Sequence, residues 1–218
     1  MSARLPFALA VAAATLTLVF GAGSVGAQPC HEEAPPAAAS ASAAAPVLPA
    51  DSVYALDVPL TDDAGAPFRL GALAGQPVVI TMVYGRCPHV CPLLIRHAMQ
   101  LVESVPAAHR GRVKVALVSF DPSDTPAFLH GLRDKHGLGA AVHLAGGSEA
   151  AVRVLATALD IRYRKLPDGS FGHTSVLTVL DPQGRIVSRQ EGGAPGPELK
   201  KALADQAAAR PGPAREDG

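Results

Sequence analysis

From Asp51 onward, apolar and polar positions fall into short blocks with two different periods. Tyr54 to Leu60 alternates apolar and polar, Asp62-Asp63-Ala64-Gly65 supplies a turn, and Pro67 to Leu70 answers it. That pattern predicts an N-terminal β-hairpin. Pro77 to Tyr84 (PVVITMVY) is an apolar run without alternation, as expected of a strand covered on both faces. Cys91 to Val105 has helical spacing through Leu94, Ala98, Leu101 and Val105, and Val113 to Phe120 (VKVALVSF) reads as a second buried strand. Strand, helix and strand of these lengths make a βαβ unit.

Thr125 and Pro126 then have the chemistry of a helix start, an N-cap followed by proline at the first helical position, with the helix running to about His136. A short strand near Val142 to Leu144, a helix from Ser148 to Leu159 and a strand from Ile161 to Lys165 follow. The turn Pro167-Asp168-Gly169 leads to a strand from Ser175 to Leu180, and Asp181-Pro182-Gln183-Gly184 turns it into Arg185 to Gln190. A last helix covers Pro197 to about Ala209. The fold class is therefore α/β, a central mixed sheet flanked by helices and preceded by a hairpin.

The N-terminal region has a different pattern. Residues 1–27 carry one charge, Arg4, then an apolar stretch from Phe7 to Phe20 and a run of small residues ending at Ala27. This is the layout of a secretory signal peptide cleaved after Ala27, and the stretch is short for a bilayer span of about 20 residues. Residues 28–50 read as a disordered tether, with only Ala, Pro and Ser from 34 to 45. The folded domain is expected at 51–209 and a frayed tail at 210–218. The chain is thus expected to be exported, and membrane-held only if the N-terminal segment is retained.

Composition adds exclusions. The 218 residues hold 19 Lys and Arg against 19 Asp and Glu, with no long basic run, so there is no electrostatic basis for a nucleic-acid partner. The three cysteines are too few for a disulfide scaffold, and an odd number cannot pair completely within one chain. Cys30, next to His31 and ahead of the tether, is either incidental or part of an accessory metal or redox site.

The chemistry concentrates in Tyr84-Gly85-Arg86-Cys87-Pro88-His89-Val90-Cys91-Pro92, where the central strand meets its helix. Crevices at the carboxyl ends of strands are the usual reactive edge of α/β sheets. A thiol beside a helix N-terminus also feels the positive end of the macrodipole, which favours thiolate. Four-residue spacing lets the two sulfurs converge, as a disulfide or as two ligands of one ion. His173, in Phe171-Gly172-His173-Thr174-Ser175, is the best placed third donor, at the mouth of the late hairpin. Two thiolates and an imidazole suit Cu(I) and can hold Cu(II), whereas zinc would want a fourth ligand. Arg86 is read as a support for the Cys87 thiolate or as a solvated charge, Asp121 and Asp124 as turn and cap residues, and Met82 as core.

The segment VYGRCPHVCP, followed by GHTSVLTVLDPQGRI with its His173 82 positions after Cys91, resembles the Sco/SenC family of thioredoxin-fold copper chaperones. The resemblance covers about residues 51 to 205 and includes the SFDP stretch. It implies a thioredoxin-like fold, copper held by Cys87, Cys91 and His173, and a periplasmic role in delivering copper to the CuA centre of cytochrome c oxidase, through the CuA-bearing subunit or another cuproprotein. It also implies an alternative, a thiol-disulfide oxidoreductase in which Cys87 and Cys91 are the redox pair. His89 stands where many relatives have an acidic residue, which adds weight to exchange chemistry. Asp121 to Pro126 is one residue shorter than the family's usual stretch. Relatives are commonly membrane-anchored, whereas this chain reads as cleaved.

Overall fold

The computed structural model describes residues 48–87 and 90–209. The expected signal segment, the tether up to residue 47 with Cys30 and His31, the loop residues Pro88 and His89, and the tail from residue 210 lie outside the described residues.

A mixed sheet forms the centre. Its strands are β1 (Leu60–Asp62), β2 (Pro67–Phe68), β3 (Val78–Val83), β4 (Lys114–Ser119), β5 (Val142–Gly146), β8 (Val176–Leu180) and β9 (Ile186–Glu191), in the order β2-β1-β5-β4-β3-β8-β9. The inner strands β3, β4 and β5 run parallel, while β8 pairs antiparallel to β3 and β9 to β8. Every residue of β3 and β8 is buried, which is why their sequences are apolar apart from Thr81 and Thr178 instead of alternating. Helices α1 (Val90–Glu103), α2 (Ala107–Arg110), α3 (Pro126–His136), α4 (Glu149–Ala158) and α5 (Pro197–Ala208) flank the sheet. A separate two-stranded ribbon joins β6 (Tyr163–Lys165) to β7 (Phe171–His173). This is the thioredoxin-like α/β architecture that the sequence predicts.

The predicted helix signals hold. Thr125 accepts from the Phe128 N–H with Pro126 at the first helical position, and α3 closes at Gly137 in the left-handed region, φ 59°. The opening strand does not hold. Val53–Leu56 is a single 3-10 turn, and of the expected first strand only Leu60 pairs, at the start of β1. Ser52 accepts from the Tyr54 N–H and donates its hydroxyl to the Gln183 carbonyl, and consecutive Val53 and Tyr54 are both buried, which a one-sided strand does not allow. Gly184, at φ +83°, lies against the Tyr54 ring where a Cβ would clash, so the β8–β9 turn and this 3-10 turn fit only with glycine there.

Strand directions bring the distant motif residues together. The parallel strands β3 and β4 end side by side, and antiparallel β8 begins where β3 ends. The Thr81 hydroxyl donates to the Val176 carbonyl at 2.6 Å. The loop after β3, the loop after β4 and the segment before β8 therefore meet at one edge of the sheet.

Candidate metal centre

Cys91 sits in the first turn of α1 with 2% of its surface exposed, and its sulfur accepts from the Tyr84 N–H at 3.1 Å. Cys87, half-buried on the loop before the helix, donates its own N–H to the Tyr84 carbonyl, which turns the chain back toward Cys91. His173 ends β7, paired in register with Tyr163, and is a strand residue where the sequence reading has a loop. Its Nδ1 lies 3.1 Å from the Thr174 carbonyl, and a carbonyl only accepts. Nδ1 of the neutral ring therefore carries the proton, and Nε2 presents a lone pair 3.7 Å from the Cys91 sulfur.

The two sulfurs and the imidazole nitrogen all lie within 4.8 Å of one another. Metal–sulfur bonds of about 2.3 Å and metal–nitrogen bonds of about 2.0 Å span at most about 4.3 Å from nitrogen to sulfur. The 3.7 Å separation thus fits a bent nitrogen–metal–sulfur arrangement. The donor set is soft and low in number, suited to copper as cargo.

Burial decides the character of Cys91. Desolvation pushes its thiol up to about 12, against the Tyr84 N–H, which favours thiolate; the neighbouring Cys87 adds to the rise. Loss of water thus disfavours ionisation of Cys91, contrary to the sequence expectation of a thiolate.

An aromatic bed supports the imidazole. Phe120, fully buried, lies 5.0 Å from the His173 ring, 4.9 Å from Tyr163 and 5.4 Å from Phe171, and Phe171 meets Tyr84 at 5.0 Å. These contacts seat the β6–β7 ribbon against the ends of β3 and β4.

Arg86 is not a lone solvated charge. It pairs with Asp121 and Asp124, and its guanidinium lies 4.5 Å over the Phe128 ring. Asp121 does act as a turn residue, accepting from the Ser123 N–H, but Asp124 is not the cap, which is Thr125. The buried Asp124 carboxylate accepts from the Ser119 hydroxyl at 2.7 Å and the Gly85 N–H at 3.1 Å, tying the end of β4 to the cysteine loop. Burial raises its pKa, and the Ser119 and Gly85 bonds oppose that rise. A Cβ on Gly85 would stand 2.9 Å from Asp124 Oδ2 and collide with Phe128, so the loop passes here only as glycine. Sequence reading missed this latch; Gly85 flanked by Arg86, with two aspartates after the next parallel strand, was its only signal.

Other methionines and histidines fall elsewhere. Met82 is core, and Met99 packs partly buried against it. His97 lines a cleft beside α1 with Val90, Leu93 and Ser175, and His130 lies 3.5 Å from Asp63 on the far hairpin.

Residues 52–208 match the sequence profile of SCO1/SenC. The chain belongs to the SCO1/SenC family. A Stutzerimonas stutzeri protein named "Putative copper-binding protein" is 26% identical over 132 residues, spanning 58% of this chain and 64% of that one, so the chain covers less than two thirds of this curated relative. Bradyrhizobium japonicum ScoI, solved with copper bound, is 25% identical over 68% of this chain and 94% of ScoI, with a TM-score of 0.57. BsSco, described as a Sco-family cytochrome c oxidase assembly protein with a disulfide switch, shares the fold at 19% identity, TM-score 0.59, over 70% of this chain and 92% of its own. No helix among the described residues is long and apolar enough to cross a membrane.

Proposed function

We propose that this chain is an exported metallochaperone that carries one copper ion on Cys87 Sγ, Cys91 Sγ and His173 Nε2 and hands it to the CuA-bearing subunit of cytochrome c oxidase. The observation that carries this reading is the convergence of three soft donors within 4.8 Å, one of them an imidazole already held in the tautomer that leaves its nitrogen free. Family membership, a copper-bound relative and a relative described as an oxidase assembly protein support the cargo and the recipient class. The half-buried Cys87 is the accessible ligand and the buried Cys91 the retained one, an asymmetry suited to stepwise exchange with an acceptor. Export, with cleavage after Ala27 and a tether to residue 50, rests on the N-terminal sequence.

Anaerobic titration of the reduced protein is expected to show uptake of one Cu(I) per chain, lost in the Cys87→Ser, Cys91→Ser double variant. His173→Ala should weaken Cu(II) by at least about tenfold and Cu(I) much less, since two thiolates alone satisfy the softer ion. Stoichiometric copper in the double variant would sink the proposal.

The thiol-disulfide oxidoreductase reading is favoured by one observation, the proximity of the two sulfurs. It would use Cys87 as the attacking group, because the Cys91 thiol is buried. Fast exchange with a CuA-domain disulfide, combined with weak copper binding, would select it.

A further inference from the structure

β6 carries three exposed cations in four positions, Arg162 at its edge with Arg164 and Lys165 within it. Among the described residues none of the three has a carboxylate in ion-pair range. The nearby acids are engaged elsewhere: Asp160 with Arg189 at 3.4 Å, Glu149 with Arg153 at 2.6 Å, Asp168 with Ser170, and Asp121 with Arg86. Strand alternation puts Arg162 and Arg164 on one face, where like charges repel at a cost to stability. In a chain whose acidic and basic residues balance at 19 each, this is a local excess that the fold leaves uncompensated.

A run of cations is most often a solvated face, and two observations separate this one from that. Tyr163 pairs in register with His173, so β6 is the immediate neighbour of the strand that carries the imidazole. The cations also rim two recesses. One, about 250 Å³, is lined by Phe120, Phe171, Arg164 and Lys165 together with the paired acids Asp121 and Glu149; the other, about 410 Å³, runs from Arg162 and Arg164 to His173 and has no acidic lining residue. The second therefore sets two cations beside the imidazole with no acid between them.

Resting on the copper-carrier reading, we infer that the basic β6 edge is the docking face for an acidic surface on the protein that accepts the metal. The positive edge raises the rate of productive encounter and orients the acceptor so that its ligands arrive at the half-buried Cys87 and at His173. Copper then moves by ligand exchange, each protein–copper bond breaking as an acceptor–copper bond forms, with Cu(I) as both reactant and product and no electron transferred. A flat anionic lipid surface would meet the charges but not fill the recesses.

The test uses the full chain loaded with Cu(I) and a reduced, metal-free CuA-bearing domain of cytochrome c oxidase, with copper on each protein assayed over time. The variant is Arg162→Glu, Arg164→Glu, Lys165→Glu. Transfer from it is expected to be at least about tenfold slower at low salt and nearly insensitive to salt, whereas transfer from the wild type slows as salt rises. Its Cu(I) affinity, measured against a competing chelator, should match the wild type, and Arg164→Lys alone should transfer normally. Equal rates for variant and wild type overturn the inference alone, as does a variant that loses only its binding to phosphatidylglycerol vesicles. A parallel fall in Cu(I) affinity overturns it too, by assigning the strand a structural role. A wild-type chain that takes up no copper fails the carrier reading itself, and the inference with it.

Discussion

The Asp124 carboxylate accepts from Ser119, Gly85 and Arg86 together, and each of these belongs to a segment that shapes the metal centre. Asp124→Ala would leave the Ser119 hydroxyl and the Gly85 N–H without their acceptor, at about 1 to 3 kcal/mol for buried polar groups left unmade. The Arg86 side chain is 43% exposed and keeps Asp121 as a partner, so the loss stays below that of a broken buried ion pair. We expect a fall in melting temperature of about 5 °C by calorimetry, with weaker copper binding because Gly85 leads directly into Cys87. An unchanged melting temperature would show that this latch does not hold the loop. At the same scale, the convergence of Cys87 and Cys91 was legible from residue type and four-residue spacing, and that of His173 from the family resemblance. The state of Cys91 was not, because proximity to a helix start is visible in sequence and depth of burial is not. The carboxylate partners of Arg86 were not legible for a related reason: they lie 35 and 38 residues away, across a parallel strand pairing.

At the level of elements, the β6–β7 ribbon stands apart from the main sheet, and it carries His173. Two strands alone are marginal in water, so the ribbon depends on Phe171, Tyr163 and the buried Phe120 for its place. Amide exchange in residues 163–173 of the copper-free protein should therefore be at least about 100-fold faster than in β3 and β4, and copper should slow it. Exchange as slow as in the central strands would mean that the ribbon is as rigid as the sheet. Phe171→Ala should loosen the same amides and weaken Cu(II) more than Cu(I), since it displaces the imidazole and spares the thiols. The central strands and most helix ends were legible from continuous apolar runs and capping residues. β7 was not, since Phe171-Gly172-His173 has no periodicity of its own and becomes a strand only by pairing with β6. The Val53–Leu56 turn was misread because its alternation is real, but Ser52 and Gly184, distant in sequence, fix its geometry.

In the whole molecule the metal centre and the acid-sensitive contacts occupy different parts of the sheet. The centre gathers at the ends of β3, β4 and β8, while Asp63, Arg133 and His143 link the β2-β1-β5 edge to α3. His143 stacks on Phe68 at 5.7 Å with its Nε2 buried and without a partner among the described residues. Burial holds its pKa below 6.5, helped by Lys114 and Arg133 and opposed by Asp62 and Asp63; burial and the cations Lys135 and Arg96 lower His136 in the same direction. The unfolded chain thus takes up protons before the folded one. Stability from these histidines is full above about 6.5 and falls as the pH drops toward their folded values. Asp63 adds a second, lower window. The Arg133 hydrogen bond holds it below 3.8, so its contribution is present above that value and lost as the pH falls through the folded one. Melting temperatures of the copper-free protein should accordingly decline from about pH 7 to about pH 5, and His143→Gln should flatten that slope. Copper-free protein is required because protons compete with the metal for the thiols and would add a slope of their own. A variant with the wild-type slope would place the acid sensitivity elsewhere, on His136 alone or on the metal centre. A flattened slope would show that the sheet edge remote from copper sets acid stability, leaving the centre free to change ligands without unfolding the domain.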